Sequence, residues 1–204
     1  MLMDERKLAL LGVIGPLTAY VFIGMAIWLS PWFSWWVNAL SDLGHATRSS
    51  AAYIFNFGLL LTGLLIMVFA IMVFRKYAKY TSVSLAATAF ALQMVAAFNE
   101  TYGFLHFEVS VLFFVLLGVS SIVYAIERRS FLSVIAFIVG LSSWALYGAK
   151  IYSGGVAIPE ILSSTAALSW VVLAALKICF NKQLPSSEGS SRQSSQKNKS
   201  EKQL

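Results

Sequence analysis

Asn99, Glu100, His106 and Glu108 lie within one short polar break, Phe98 to Glu108, between two long apolar runs. Asp42 and His45 sit in an earlier break of the same kind. Carboxylates and imidazoles move protons near neutral pH and bind divalent metals. Asp42-x-x-His45 is an i,i+3 pair that could face one way, and His106 with Glu108 would complete a mixed nitrogen and oxygen donor set. Zinc accepts such donors in tetrahedral sites and activates water, here for lipid hydrolysis. Against a metal, His106-x-Glu108 has the wrong spacing for one helical face, and no His-x-x-x-His pair occurs. The competing reading is structural, with these residues capping helix ends and pairing with Arg48 and Lys150. The sequence assigns no catalytic residue, and no cofactor is expected unless it is zinc.

The elements that must position these groups are made of hydrocarbon-soluble residues. The chain has 204 residues, 58% hydrophobic and 12% charged, with mean hydropathy +0.75. Soluble domains carry about 25% charged residues, so a bilayer is the expected solvent. A spanning helix needs roughly 20 apolar residues. Six stretches qualify: 8–30, 51–74, 82–100, 106–126, 131–152 and 159–180. Residues 1–183 should form one all-α, six-helix membrane domain, and the Ser-, Gln- and Lys-rich stretch 184–204 a disordered tail. The first run is too long for a cleaved signal, and Pro16 predicts a kink in it. The single cysteine, Cys179, excludes a disulfide framework within one chain.

Of the 15 Lys and Arg residues, only Arg48 and Lys150 fall on one side of this arrangement. The rest alternate onto the other, which predicts cytoplasmic termini. The net charge of +6 is therefore spread along a membrane boundary, which suits anionic lipid head groups and argues against nucleic acid. The first outer loop, 31–50, opens with Pro31, and Trp32, Trp35, Trp36, Ala39 and Leu40 share one face at helical spacing. This predicts an interfacial helix with tryptophans at head-group depth, ended by Gly44 in a left-handed cap. Asn99-Glu100-Thr101 matches a glycosylation acceptor, but it lies too close to the bilayer for modification to be expected.

Polar side chains within spans usually face the bundle interior, and stripes of small residues mark packed faces. Asn56, Gly63 and Ala70 align on the second span; Gln93, Ala96, Ala97 and Glu100 on the third; His106, Ser110, Phe113 and Leu117 on the fourth. Gly140, Ser143, Tyr147 and Lys150 align on the fifth, and Glu160, Ser164 and Ala167 on the sixth. Each stripe grows more polar toward the outer end. The expectation is a polar pocket open to the outer leaflet, lined by Asn56, Gln93, Glu100, His106, Tyr147, Lys150 and Glu160 and roofed by the Asp42 loop, with Lys150 pairing to Glu160.

Asn38-Ala39-Leu40-Ser41-Asp42-Leu43-Gly44, Phe55-Asn56-Phe57-Gly58, Phe98-x-Glu100 with Gly103 and His106, and Phe113-Phe114 together resemble the DUF998 family of six-span membrane proteins. That family in turn resembles the Frag1/DRAM/Sfk1 group. The resemblance covers roughly the first four spans and departs from the family where Asn99 replaces a proline. It implies six helices and a membrane location, and it implies no reaction. A weaker likeness, to alkaline ceramidase-like hydrolases, requires three metal-binding histidines, whereas this chain has 2.

The favoured expectation is a multi-pass protein of the cell membrane that binds or organises lipid, or a small ligand, through the outer pocket. One alternative is a metal-assisted lipid hydrolase using Asp42, His45, His106 and one of Glu100, Glu108 or Glu160. Another is a small transporter in which Glu100 and Lys150 are the coupling charges. Membrane lipids are the expected partners, and a homo-oligomer is left open.

Overall fold

The computed structural model describes residues 5–180. In lipid every backbone amide must be satisfied within its own segment, so the apolar runs fold as helices. There are six: α1 Glu5–Trp28, α2 Ala52–Tyr77, α3 Lys79–Ala97, α4 Phe104–Arg128, α5 Phe131–Gly148 and α6 Ala157–Phe180, each long and apolar enough to cross a membrane. The chain is an all-α six-helix bundle. The anticipated stretch 184–204 lies outside the described residues.

Each helix packs on the next in sequence, and α6 returns to α1, so the six form a closed ring. Small residues and hydroxyls fill the interior. Thr88 and Ser120 hydroxyls lie 2.9 Å apart between α3 and α4, while nearer the surface Tyr20 on α1 donates to Thr165 on α6 at 2.7 Å. Leu17, Val21, Phe57, Leu64, Ile138 and Leu141 remain exposed on the outer girth, where acyl chains replace water.

One end of the ring, the loop face, carries the connections 29–51, 98–103 and 149–156. The other, the terminal face, holds both described chain ends, and the Cys179 thiol lies 3.5 Å from the Arg6 carbonyl there. Lys76 pairs with Glu5 across α2 and α1 on this face.

Two irregularities mark the first two spans. α1 is interrupted at Leu10, between Ala9 and Leu11, while Pro16 lies inside the longer segment Leu11–Trp28. Leu10 keeps right-handed helical dihedrals, φ −59° and ψ −25°, so the span continues through it. In α2, Ala70–Phe74 forms a π-helical turn, whose Phe74 ring stacks on Phe69 at 5.1 Å and lies 5.8 Å from Tyr124 of α4.

The α-helix expected over Pro31 to Asp42 does not form. That stretch consists of turns followed by a 3₁₀ helix, Leu40–Gly44. Side chains compete with the backbone here. Asn38 Oδ1 accepts from the Ser34 amide at 3.0 Å. Asp42 Oδ2 accepts from Asn38 Nδ2 at 2.9 Å and from the Ala39 amide at 3.0 Å. Trp32, Trp35 and Trp36 are nonetheless exposed. Nor is Gly44 left-handed: among the described residues only Gly103, Arg129 and Lys150 have positive φ. Gly44 is needed for close approach instead, because a Cβ there would sit 2.6 Å from Asn56 Oδ1.

Candidate functional site

Glu127 shows how a polar side chain at a helix end can be consumed by structure. Its carboxylate accepts from the Tyr80 amide at 3.1 Å, and from the Thr81 amide and hydroxyl at 2.8 and 2.6 Å. It thereby caps α3 from α4. Replacing it with alanine orphans these donors and is expected to cost ~1–3 kcal/mol of stability, measured by thermal unfolding in detergent.

The loop face is organised differently. His106 stands in the first turn of α4 and is buried. Its Nδ1 lies 2.7 Å from the Phe98 carbonyl, and a carbonyl can only accept, so Nδ1 carries a hydrogen and donates it. That fixes Nε2 toward Glu100 Oε2 at 3.1 Å and toward Ser110 Oγ at 3.3 Å. Glu100 opens the 3₁₀ turn Glu100–Tyr102, which Asn99 caps by accepting from the Thr101 amide. Gly103, with φ +56° and ψ −113°, then reverses the chain into α4, a conformation that a Cβ disfavours.

Glu160, in the first turn of α6, accepts the Leu40 amide at 2.6 Å through Oε2. The Ala157 amide donates to the Asn38 carbonyl at 3.0 Å. Asn56 Nδ2 donates to the Gly44 carbonyl at 2.9 Å, and the Ala46 amide donates to Thr101 Oγ1 at 3.0 Å. The 31–50 loop is therefore fastened to α6, α2 and the Glu100 turn.

Beneath it lie two cavities. The larger, about 730 Å³, runs between α4, α5 and α6, and its polar end is formed by Ser41, Glu100, His106, Tyr147 and Glu160. Below these the walls are mainly apolar, with Phe114, Val115, Gly118, Ile122, Phe137 and Leu141, interrupted by Ser110, Ser121 and Ser163. From His106 to Ile122 the groove follows ~24 Å of helix at 1.5 Å per residue, most of the ~30 Å hydrocarbon core. The rim residues Phe107, Val115, Ile122 and Leu141 are exposed, so the groove opens sideways onto the girth. The smaller cavity, about 110 Å³, lies at the ring centre between α1, α2, α3, α4 and α6 and shares Ser110, Phe114, Leu117 and Glu160 with the first.

Glu100, His106, Tyr147 and Glu160 thus line one groove. Asn56 and Gln93 line neither cavity; Asn56 holds the loop, and Gln93 packs against Gly63. Lys150 is exposed, in a left-handed turn with φ +54° just past α5. It makes no ion pair among the described residues, so the anticipated pair of Lys150 with Glu160 does not form, and Lys150 does not join Glu100 in the groove lining. Trp144 is a groove residue that sequence spacing missed; its indole donates to Ser163 Oγ at 3.3 Å. Its place one residue from the Ser143 stripe was the available signal.

The donors suggested for zinc do not come together among the described residues. Asp42 closes its own loop, His45 Nδ1 lies 3.3 Å from Thr47 Oγ1, and Glu108 is exposed. Among the described residues no three His, Cys, Asp or Glu side chains converge to hold a metal. His106, Glu100 and Ser110 do not form a nucleophile relay either. In such a relay the carboxylate and the hydroxyl address opposite ring nitrogens, whereas here both address Nε2.

No curated protein and no solved structure matches this chain. The sequence pattern of DUF998, described as a protein of unknown function, matches residues 13–177, which takes in all but the first turns of α1 and the last of α6. With its six spans in a ring and its loop-face groove, the chain is a multi-pass membrane protein that belongs to the DUF998 family.

Proposed function

We propose that the protein binds a membrane amphiphile in the groove between α4, α5 and α6, the head at Glu100, His106 and Glu160 and the chain along the apolar wall. The observation that carries this reading is the groove's polarity gradient combined with its lateral opening. Its volume lies within the roughly 300–1,000 Å³ usual for small-molecule sites. Among the described residues no lysine or arginine lines it, so the mouth offers mainly acceptors and suits a head bearing hydroxyl or ammonium hydrogens.

The test is analysis of lipid that stays with the protein through purification in mild detergent. One amphiphile should be retained, and Glu100→Ala should weaken it by removing the carboxylate that faces His106 at the mouth. Gly118→Phe should exclude it, because a Cβ at Gly118 has ordinary clearance of 3.5 Å to Phe137 and the ring would then fill the groove. Retention of the same lipids by the Gly118 variant would end the proposal.

The loop face is proposed to be extracellular and the terminal face cytoplasmic, supported by the concentration of basic residues at the latter. In a Cys179→Ser background, His45→Cys should react with an impermeant maleimide in intact cells and Arg129→Cys only after lysis. The opposite pattern overturns the orientation.

A further inference from the structure

The terminal face holds a cavity unrelated to the groove. It measures about 280 Å³, and Arg128, Arg129 and Lys177 line it above a floor that includes Tyr124 and Trp170. We propose that this is a binding site for a phosphate-bearing anion, presented as the head group of an anionic lipid in the adjoining leaflet.

Basic residues at a membrane boundary are ordinary. Three that converge on one cavity from two helices, with no counter-charge among the described residues, are not. Among the described residues no carboxylate lines the cavity. Glu127, next to Arg128 in sequence, is turned away and accepts the three hydrogen bonds from Tyr80 and Thr81. Neither Arg129 nor Lys177 makes an ion pair among the described residues. The Arg128 guanidinium lies 4.0 Å over the Tyr77 ring, which holds its planar fork in place for bidentate contact with phosphate oxygens. Like charges gathered in this way repel one another unless an anion joins them.

Arg129 supplies an independent indication. It ends α4 with φ 50° and ψ 45°, a helix-terminal position where glycine or asparagine is favoured and a longer side chain is strained. Strain held at one position directs attention to what its side chain does. Here that side chain forms a cavity wall.

The full chain would be placed in nanodiscs of phosphatidylcholine alone or mixed with phosphatidic acid, and the lipid held by the protein counted by native mass spectrometry. Phosphatidic acid should be retained over phosphatidylcholine. Arg129→Gly should keep or raise the melting temperature, since the strained turn is relieved, while weakening retention roughly fivefold, the equivalent of ~1 kcal/mol per juxtamembrane cation. Lys177→Gln should weaken retention by a similar factor, and the two changes should compound. Equal retention of both lipids, or undiminished phosphatidic acid in Arg129→Gly, overturns the proposal. Displacement by inorganic phosphate without any lipid preference would overturn the head-group assignment in favour of a soluble anion. Retention of amphiphile in the groove should be unchanged by either variant.

Discussion

Trp170→Ala is expected to destabilise the bundle by ~3–5 kcal/mol, the range for truncating a buried aromatic to alanine. Trp170 is 1% exposed. Its ring stacks on Tyr124 with centroids 4.5 Å apart, and its indole donates to Ser121 Oγ at 3.1 Å. Tyr124 continues through Phe74 to Phe69, so one side chain joins α6 to α4 and, through it, to α2. Acyl chains are as apolar as leucine, so transfer out of water is not what is lost on truncation. The loss comes from dispersion contacts and the void left behind. A hydrogen bond between spanning helices averages ~0.6 kcal/mol, so Trp170→Phe, which removes only that bond and part of the ring, should cost ~1 kcal/mol. Thermal unfolding followed by circular dichroism separates the two. If alanine costs no more than phenylalanine, packing at this position is not what joins the helices.

Gly63→Val is the second large effect. A Cβ at Gly63 would stand 2.7 Å from the Ala89 carbonyl oxygen and 2.6 Å from Gln93 Cγ. The carbonyl belongs to the backbone of α3, so relief requires the helices to part. Overpacking of this kind costs ~1–3 kcal/mol and more when backbone must yield. The control is Gly24→Ala on α1, where nothing lies within 4 Å of the added atom. That change should be neutral or stabilising by up to ~1 kcal/mol, because glycine weakens a helix interior. Equal melting temperatures for the two variants would show that α2 and α3 do not meet as closely as described.

These two sites also show what the amino-acid order discloses. Gly63 and Gln93 fall on small or polar stripes, and those stripes do face each other between α2 and α3. Periodicity therefore located the contact. It does not tell a packed interface from a cavity wall, since both favour small and polar residues, and so it points Gln93 to the pocket as readily as to the α2 contact it makes. Glu100 and His106 were legible for a simpler reason: ionisable groups between two apolar runs have few places to go. Lys150 leaves its stripe because α5 ends before it, and a left-handed residue there redirects the chain. The 31–50 loop failed for the reverse cause. Its tryptophans have helical spacing, but Ser34, Asn38 and Asp42 on the opposite face offer the backbone nearer partners. Trp170 with Tyr124, and Glu127 with Thr81, join residues far apart in the chain, and no local pattern announces them.

The wide turn at Ala70–Phe74 has a consequence for the end of α2. A π turn accommodates one residue more than the α-helix it interrupts, so everything after Phe74 is rotated by about 100° from where counting from Ala52 would put it. Deleting a single residue inside the turn would restore regular winding and swing Lys76 away from Glu5 and the Tyr77 ring out from under Arg128. The azimuth of a whole helix end, and with it one wall of the basic cavity, is thus encoded by the presence of one amino acid rather than by its identity.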